Sequence, residues 1–255
     1  MTSSNSQRKP FIGGNWKCNG VKSFIDPFVA ETINPINTEK VDVVIAVPSV
    51  YIEHTLHKIQ PAIAVAAQNV SATGFGAYTG EITAEQLKDI GVKWTLTGHS
   101  ERRSKYHESD EIVATKTKQA LNAGLSVIFC IGESLEERQG NQTMDVLIRQ
   151  TQALIRLVDD EKDWERIVVA YEPIWAIGTG QVATPAQAQE TQKALREWIA
   201  QNVSIDIATK LRIIYGGSVN LGNCEKLITC EDVDGFLIGG ASLKPEFAEI
   251  IKRAN

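Results

Sequence analysis

The sequence predicts an α/β protein folded as a single closed (β/α)8 barrel. Three observations predict it. Eight short apolar, β-branched runs recur along the 255 residues, helix-like stretches alternate with them, and no composition break or linker divides the series. Most runs are near-continuously hydrophobic, which suits parallel strands buried on both faces. Eight such units in about 250 residues match one closed barrel. An open doubly wound sheet is the alternative that the pattern alone leaves.

The expected strands cover residues 11–16, 41–47, 62–69, 94–98, 125–130, 167–171, 211–215 and 235–238. Among the helical stretches, one ends at Leu87, Ile90 and Gly91. Another covers 111–122, with Gly124 as its stop. Residues 144–157 carry apolar side chains at helical spacing. The clearest helix opens at Thr184-Pro185-Ala186-Gln187 and runs through Leu195, Trp198 and Ile199. Threonine suits the N-cap, proline the first turn, and Gln187 can reach back as in a capping box.

An apolar fraction of 43% and a charged fraction of 22% are ordinary for a soluble globular chain. The net charge of −5 gives no basis for binding nucleic acid. Cys18, Cys130, Cys224 and Cys230 form no C-x-x-C pair and no zinc spacing with the four histidines. They read as free thiols of a reducing, cytoplasmic compartment. No apolar run approaches the ~20 residues that span a bilayer. Residues 1–9 are polar, lack the apolar core of a secretory signal, and read as a short flexible tail before one barrel domain, 10–255. No metal, cofactor or membrane is expected.

Strand C-terminal ends converge on one mouth of such a barrel, so chemistry is sought there. The ends supply Asn15 and Lys17, Gln68 and Asn69, His99, Glu133, Glu172, Gly216-Gly217-Ser218 and Gly239-Gly240. The most informative stretch is Ala-Tyr-Glu-Pro-Ile-Trp-Ala-Ile-Gly-Thr-Gly at 170–180. It sets one carboxylate, Glu172, against a loop that can close and exclude water. Burial beneath Trp175 and Ile177 would strengthen that carboxylate as a base. The glycine pairs after strands seven and eight let backbone N–H groups approach a phosphate. Lys17 would attract that phosphate and stabilise developing negative charge, and Asn15 could bond the same charge. Ser100 would cap a short helix whose positive end keeps His99 a neutral hydrogen-bond donor.

Six motifs then align in order with one family. Gly14-Asn15-Trp16-Lys17, Gly98-His99-Ser100-Glu101-Arg102-Arg103, Ala170-Tyr171-Glu172-Pro173, Ala176-Ile177-Gly178-Thr179-Gly180, Tyr215-Gly216-Gly217-Ser218-Val219 and Gly239-Gly240-Ala241-Ser242 resemble the triosephosphate isomerases from about Phe11 onward. That resemblance implies a TIM barrel and the reversible interconversion of dihydroxyacetone phosphate and D-glyceraldehyde 3-phosphate in glycolysis and gluconeogenesis, without cofactor or metal. It implies that Glu172 moves the proton, His99 polarises the carbonyl, and Lys17 and Asn15 stabilise the enediolate. Gly178, Ser218, Gly239 and Gly240 would bind the phosphate. Pro173, Trp175, Ile177, Thr179 and Gly180 would form the lid, with Tyr215 meeting it near Ala183. Glu101 would support Lys17. Other phosphate-binding barrels share the glycine loops but lack the set of Lys17, His99 and Glu172, and a non-catalytic scaffold would be expected to lose it. The same resemblance makes 68–81, with Phe75, Tyr78 and Thr79 near its tip, a loop that joins a homodimer. Gln181, where the lid often ends in lysine, and Asn220 depart from the family pattern.

Overall fold

The computed structural model describes residues 8–177 and 182–254. Eight parallel strands pair in sequence order and close on themselves: β1 (Phe11–Asn15), β2 (Asp42–Val47), β3 (Ile63–Ala67), β4 (Trp94–Thr97), β5 (Ser126–Ile131), β6 (Ile167–Tyr171), β7 (Arg212–Tyr215) and β8 (Gly235–Ile238). Phe11 lies opposite Asp42 on one side and Gly235 on the other, so β1 joins both β2 and β8. This closure excludes the open sheet. All eight expected strands are present, with ends within two residues of those expected.

The connections carry α1 (Lys22–Phe28), α2 (Ile52–Leu56), α3 (Ala84–Asp89), α4 (Ser100–Tyr106), α5 (Asp110–Asn122), α6 (Leu135–Gln139) and α7 (Thr143–Ile155). They continue with α8 (Glu161–Trp164), α9 (Pro185–Asn202), α10 (Ile205–Lys210), α11 (Cys224–Ile228) and α12 (Glu246–Arg253). The start of α9 is built as expected. Thr184 Oγ1 accepts from Gln187 N–H at 3.2 Å, and Gln187 Oε1 accepts from Thr184 N–H at 2.9 Å. None of the helices described is long and apolar enough to cross a membrane.

The uninterrupted apolar runs have a geometric cause. Side chains alternate along a strand, so one set enters the barrel and the next faces the helices. On β5, Ile128 and Cys130 join Phe11, Val44, Leu96 and Val168 inside. Val127, Phe129 and Ile131 join the outer core beneath the helices. Each fully buried valine, leucine or isoleucine contributes roughly 1.5–3 kcal/mol. Both layers therefore hold the strand ends rigidly, which is what a site assembled from several strands requires. Arg8 and Lys9, at the end of the segment expected as a tail, are tied down by Asp234 at 2.6 Å and Asp42 at 2.7 Å.

Candidate active site

After β1 the backbone turns sharply. Lys17 has φ of 52°, a left-handed conformation that costs a non-glycine residue about 1–2 kcal/mol. Its peptide is held from both sides. Asn15 Oδ1 accepts the Lys17 N–H at 2.9 Å, and Gln68 Nε2 donates to Lys17 O at 2.9 Å and to Ala46 O at 3.1 Å. Lys17 Nζ reaches Glu101 Oε1 at 2.8 Å. Burial pushes the Glu101 carboxyl up, but the bond and charge of Lys17 outweigh it and hold the group below its ordinary value. Asn15, Lys17, His99 and Glu101 all line a cavity of about 360 Å³.

His99 follows β4 and is itself the N-cap of α4. Its Nδ1 accepts the Glu101 N–H at 3.2 Å. This corrects the expectation that Ser100 caps the helix: Ser100 is the first helical residue, because His99 has the extended backbone that an N-cap needs, with ψ of 141°. The correction has two chemical consequences. An Nδ1 that accepts carries no proton, so the hydrogen-bond network assigns the ring proton to Nε2 and makes the imidazole neutral. The Ser100 N–H, freed from the helix, donates to Glu172 Oε2 at 2.9 Å.

Glu172 closes the row. Its Oε1 lies 3.2 Å from His99 Nε2, and the residue is 2% exposed. Its N–H donates to Ile131 O at 2.7 Å, fixing it to the end of β5. Gly216 makes room for it, since a Cβ there would stand 2.8 Å from Glu172 Cγ. Pro173 is buried, and a single 3-10 turn, Ile174–Ala176, carries Trp175. Trp175 Nε1 and Tyr171 OH each donate to Glu133 Oε1 at 3.0 Å. Arg138 Nη1 donates to the same oxygen at 3.1 Å, and its guanidinium lies 4.8 Å from the Trp175 ring centroid. Glu133 thus fastens the segment after Glu172 to the loop after β5. Reading strand ends found Glu133 but assigned it no role. The available signal was that two of its partners, Tyr171 and Trp175, flank Glu172 in one motif.

Ile177 is half-buried, and Ser218 N–H donates to Ala176 O at 3.2 Å. Burial pushes the Tyr215 phenol up to about 12, and the backbone of Ala183 beside it tempers that rise. The expectations for Gly178, Thr179, Gly180 and Gln181 fall outside the described residues. At the opposite side of the mouth, Gly239 approaches Lys17 so closely that a Cβ on it would lie 3.3 Å from Lys17 Cε. Gly240 opens a 3-10 turn, Gly240–Leu243. His54 does not join the site: its ring bonds Asp26 at 2.6 Å.

The structure therefore brings Asn15, Lys17, Glu101, His99 and Glu172 into one row of contacts, with Gly239 against its cationic end and Gly216 against Glu172. A carboxylate, a neutral donor and an ammonium in that order can remove a proton beside a carbonyl and stabilise the resulting oxyanion. Comparison with known proteins agrees with this chemistry. Residues 10–254 match the family model described as triosephosphate isomerase. A cytosolic triosephosphate isomerase of Oryza sativa subsp. japonica is 51% identical over 250 residues, covering 97% of each chain. A triosephosphate isomerase of Debaryomyces hansenii is 54% identical over 96% of this chain and 98% of its own. A chloroplastic one of Fragaria ananassa is 52% identical over 95% of this chain and 77% of its own.

Proposed function

The chain belongs to the triosephosphate isomerase family, and we propose how its own residues carry out that family's interconversion of dihydroxyacetone phosphate and D-glyceraldehyde 3-phosphate. The observation that carries the reading is the unbroken row from Lys17 through Glu101 and His99 to Glu172.

Glu172 takes a proton from the carbon beside the carbonyl and returns it to the neighbouring carbon. In the position described, its two oxygens face His99 Nε2 and the Ser100 N–H. It leaves the Ser100 contact to reach substrate. The His99 Nε2–H donates to the carbonyl oxygen, where negative charge develops, and moves protons between the two oxygens of the enediol. A neutral donor suits this step because it can give the proton up and recover it without a large energy change. Lys17 and Asn15 stabilise the enediolate and hold the substrate. N–H groups of Gly178, Ser218, Gly239 and Gly240 hold the phosphate, and Ser218 gives up its bond to Ala176 to do so. Pro173, Trp175, Ile177, Thr179 and Gly180 form the lid, anchored at Glu133 and met by Tyr215. The enediolate can expel phosphate, so a closed, dry site that grips the phosphate protects it.

The reading extends to assembly and place. The apolar Phe75 and Tyr78 stand 73% and 50% exposed on the 68–81 loop. Surface of this kind, next to the cavity that holds Lys17, supports a homodimer in which each loop enters its partner's cavity. We place the enzyme in the cytoplasm, acting in glycolysis and gluconeogenesis. Relatives carry both cytosolic and chloroplastic names, and cell fractionation decides between them. The test of the activity is a coupled assay on both triose phosphates with the purified protein. Turnover in both directions supports the reading, and a folded protein that turns over neither sinks it.

A further inference from the structure

One side chain of the 98–103 motif has no part in the mechanism above. Arg103, on α4, has a side chain only 12% exposed. Its guanidinium bonds three separate segments. Nε donates to Gly98 O at 2.8 Å, Nη2 to Cys130 O at 3.2 Å, and Nη1 to Asp110 Oδ1 at 2.6 Å. Asp110, which opens α5, is in turn held by Arg149 of α7 at 3.0 Å. Gly98 is left-handed, with φ of 69°, and a Cβ on it would stand 2.9 Å from both Arg103 Nη2 and Cys130 O. Glycine, guanidinium and the β5 carbonyl interlock with no room for a side chain.

The two carbonyls that Arg103 grips lie next to the groups that hold the catalytic pair. One residue after Gly98 is His99, and the next residue, Ser100, gives its N–H to Glu172. One residue after Cys130, Ile131 O accepts the Glu172 N–H. We infer that Arg103 is a positioning residue for the isomerase reaction, clamping the ends of β4 and β5 and so setting the separation of His99 from Glu172. The inference rests on the function proposed above. Arginine is required because a planar fork can serve two carbonyls and a carboxylate at once, and an ammonium cannot. Displacing a reacting group by ~1 Å can cost on the order of 10²-fold in rate.

The test compares wild type, Arg103→Lys and Arg103→Ala in the coupled assay. Arg103→Ala should lose on the order of 10²-fold in kcat with KM little changed, since the phosphate loops lie elsewhere on the mouth. Arg103→Lys should fall between it and wild type. Millimolar guanidinium ion should restore part of the kcat of Arg103→Ala and none to wild type. The ¹⁵N resonances of the His99 ring should move in Arg103→Ala. Asp110→Asn leaves Arg103 in place but poorly oriented; it should show a smaller kcat loss at constant KM and serves if Arg103→Ala does not fold. A folded Arg103→Ala with wild-type kcat, a loss of kcat without guanidinium rescue or movement of His99, or a folded Asp110→Asn equal to wild type beside an unfolded Arg103→Ala overturns the inference. An inactive wild type instead overturns the proposed function, so the two failures are distinguishable.

Discussion

Where the barrel strands begin, charged side chains close on one another; where they end, they form a row beside a cavity. At the first end, Arg196 reaches Asp232 and Asp234 at 2.7 Å each and donates to the carbonyls of Ala208 and Leu211. Asp234 also holds Arg8 at 2.6 Å, and Asp42 bridges Lys9 and Arg212. At the other end, Lys17, Glu101, His99 and Glu172 touch in sequence, the first three border a cavity, and the backbone at Lys17 is strained. The first arrangement holds the fold, because removing one partner of a buried pair leaves the other charge uncompensated. The second sets its groups beside a cavity, where the function proposed above needs them. Pairing alone does not mark a site; a paired row that borders a cavity on a strained turn does.

Exchanging damage between the two ends tests that distinction. Lys17→Met should lower kcat/KM by on the order of 10²–10³-fold while the melting temperature stays near that of wild type; a large melting shift would mean that Lys17 mainly holds the fold. Arg196→Met should do the reverse. It should destabilise the protein by roughly 3 kcal/mol in denaturant unfolding and leave the kcat of the folded protein unchanged. The loop beside the mouth tests the boundary between the two. Phe75→Ser should weaken self-association by about 2 kcal/mol in sedimentation equilibrium, as loss of an aromatic anchor does, and a dimer of unchanged strength would remove Phe75 from the interface.

The smallest effect concerns Glu101. Lys17 outweighs burial and holds this carboxyl below its ordinary 4.5. Its folded value therefore lies below its unfolded one. The stabilisation is fully present above the ordinary value and lost as pH falls through the lowered one. The stability difference between wild type and Glu101→Gln should be constant above pH 4.5 and shrink below it. A difference that grows on acidification would contradict the sign.

The strands were legible because both of their faces are buried, so most runs of 4–6 residues are near-continuously apolar. The long helices were legible through caps such as Thr184 and Gln187. Helices such as α6, α8 and α11, with 4–5 residues each, span little more than a turn and offer no period to read. In the site, Lys17, His99 and Glu172 were legible as strand ends. The cap of α4 was misassigned to Ser100 because serine and histidine can both accept there, and only the backbone angles decide. The parts played by Gln68, Glu133 and Arg103 were not legible. Each acts through partners from distant segments, as Gln68 does by joining the carbonyls of Lys17 and Ala46.

The central claim is that Glu172 is the base and that its placement, rather than its charge alone, sets the rate. The most direct measurement is kcat of Glu172→Asp in the coupled assay, beside its melting temperature. The kcat should fall on the order of 10²-fold with melting unchanged, since shortening the side chain withdraws the carboxylate by ~1 Å. A kcat close to that of wild type in the folded variant would contradict it.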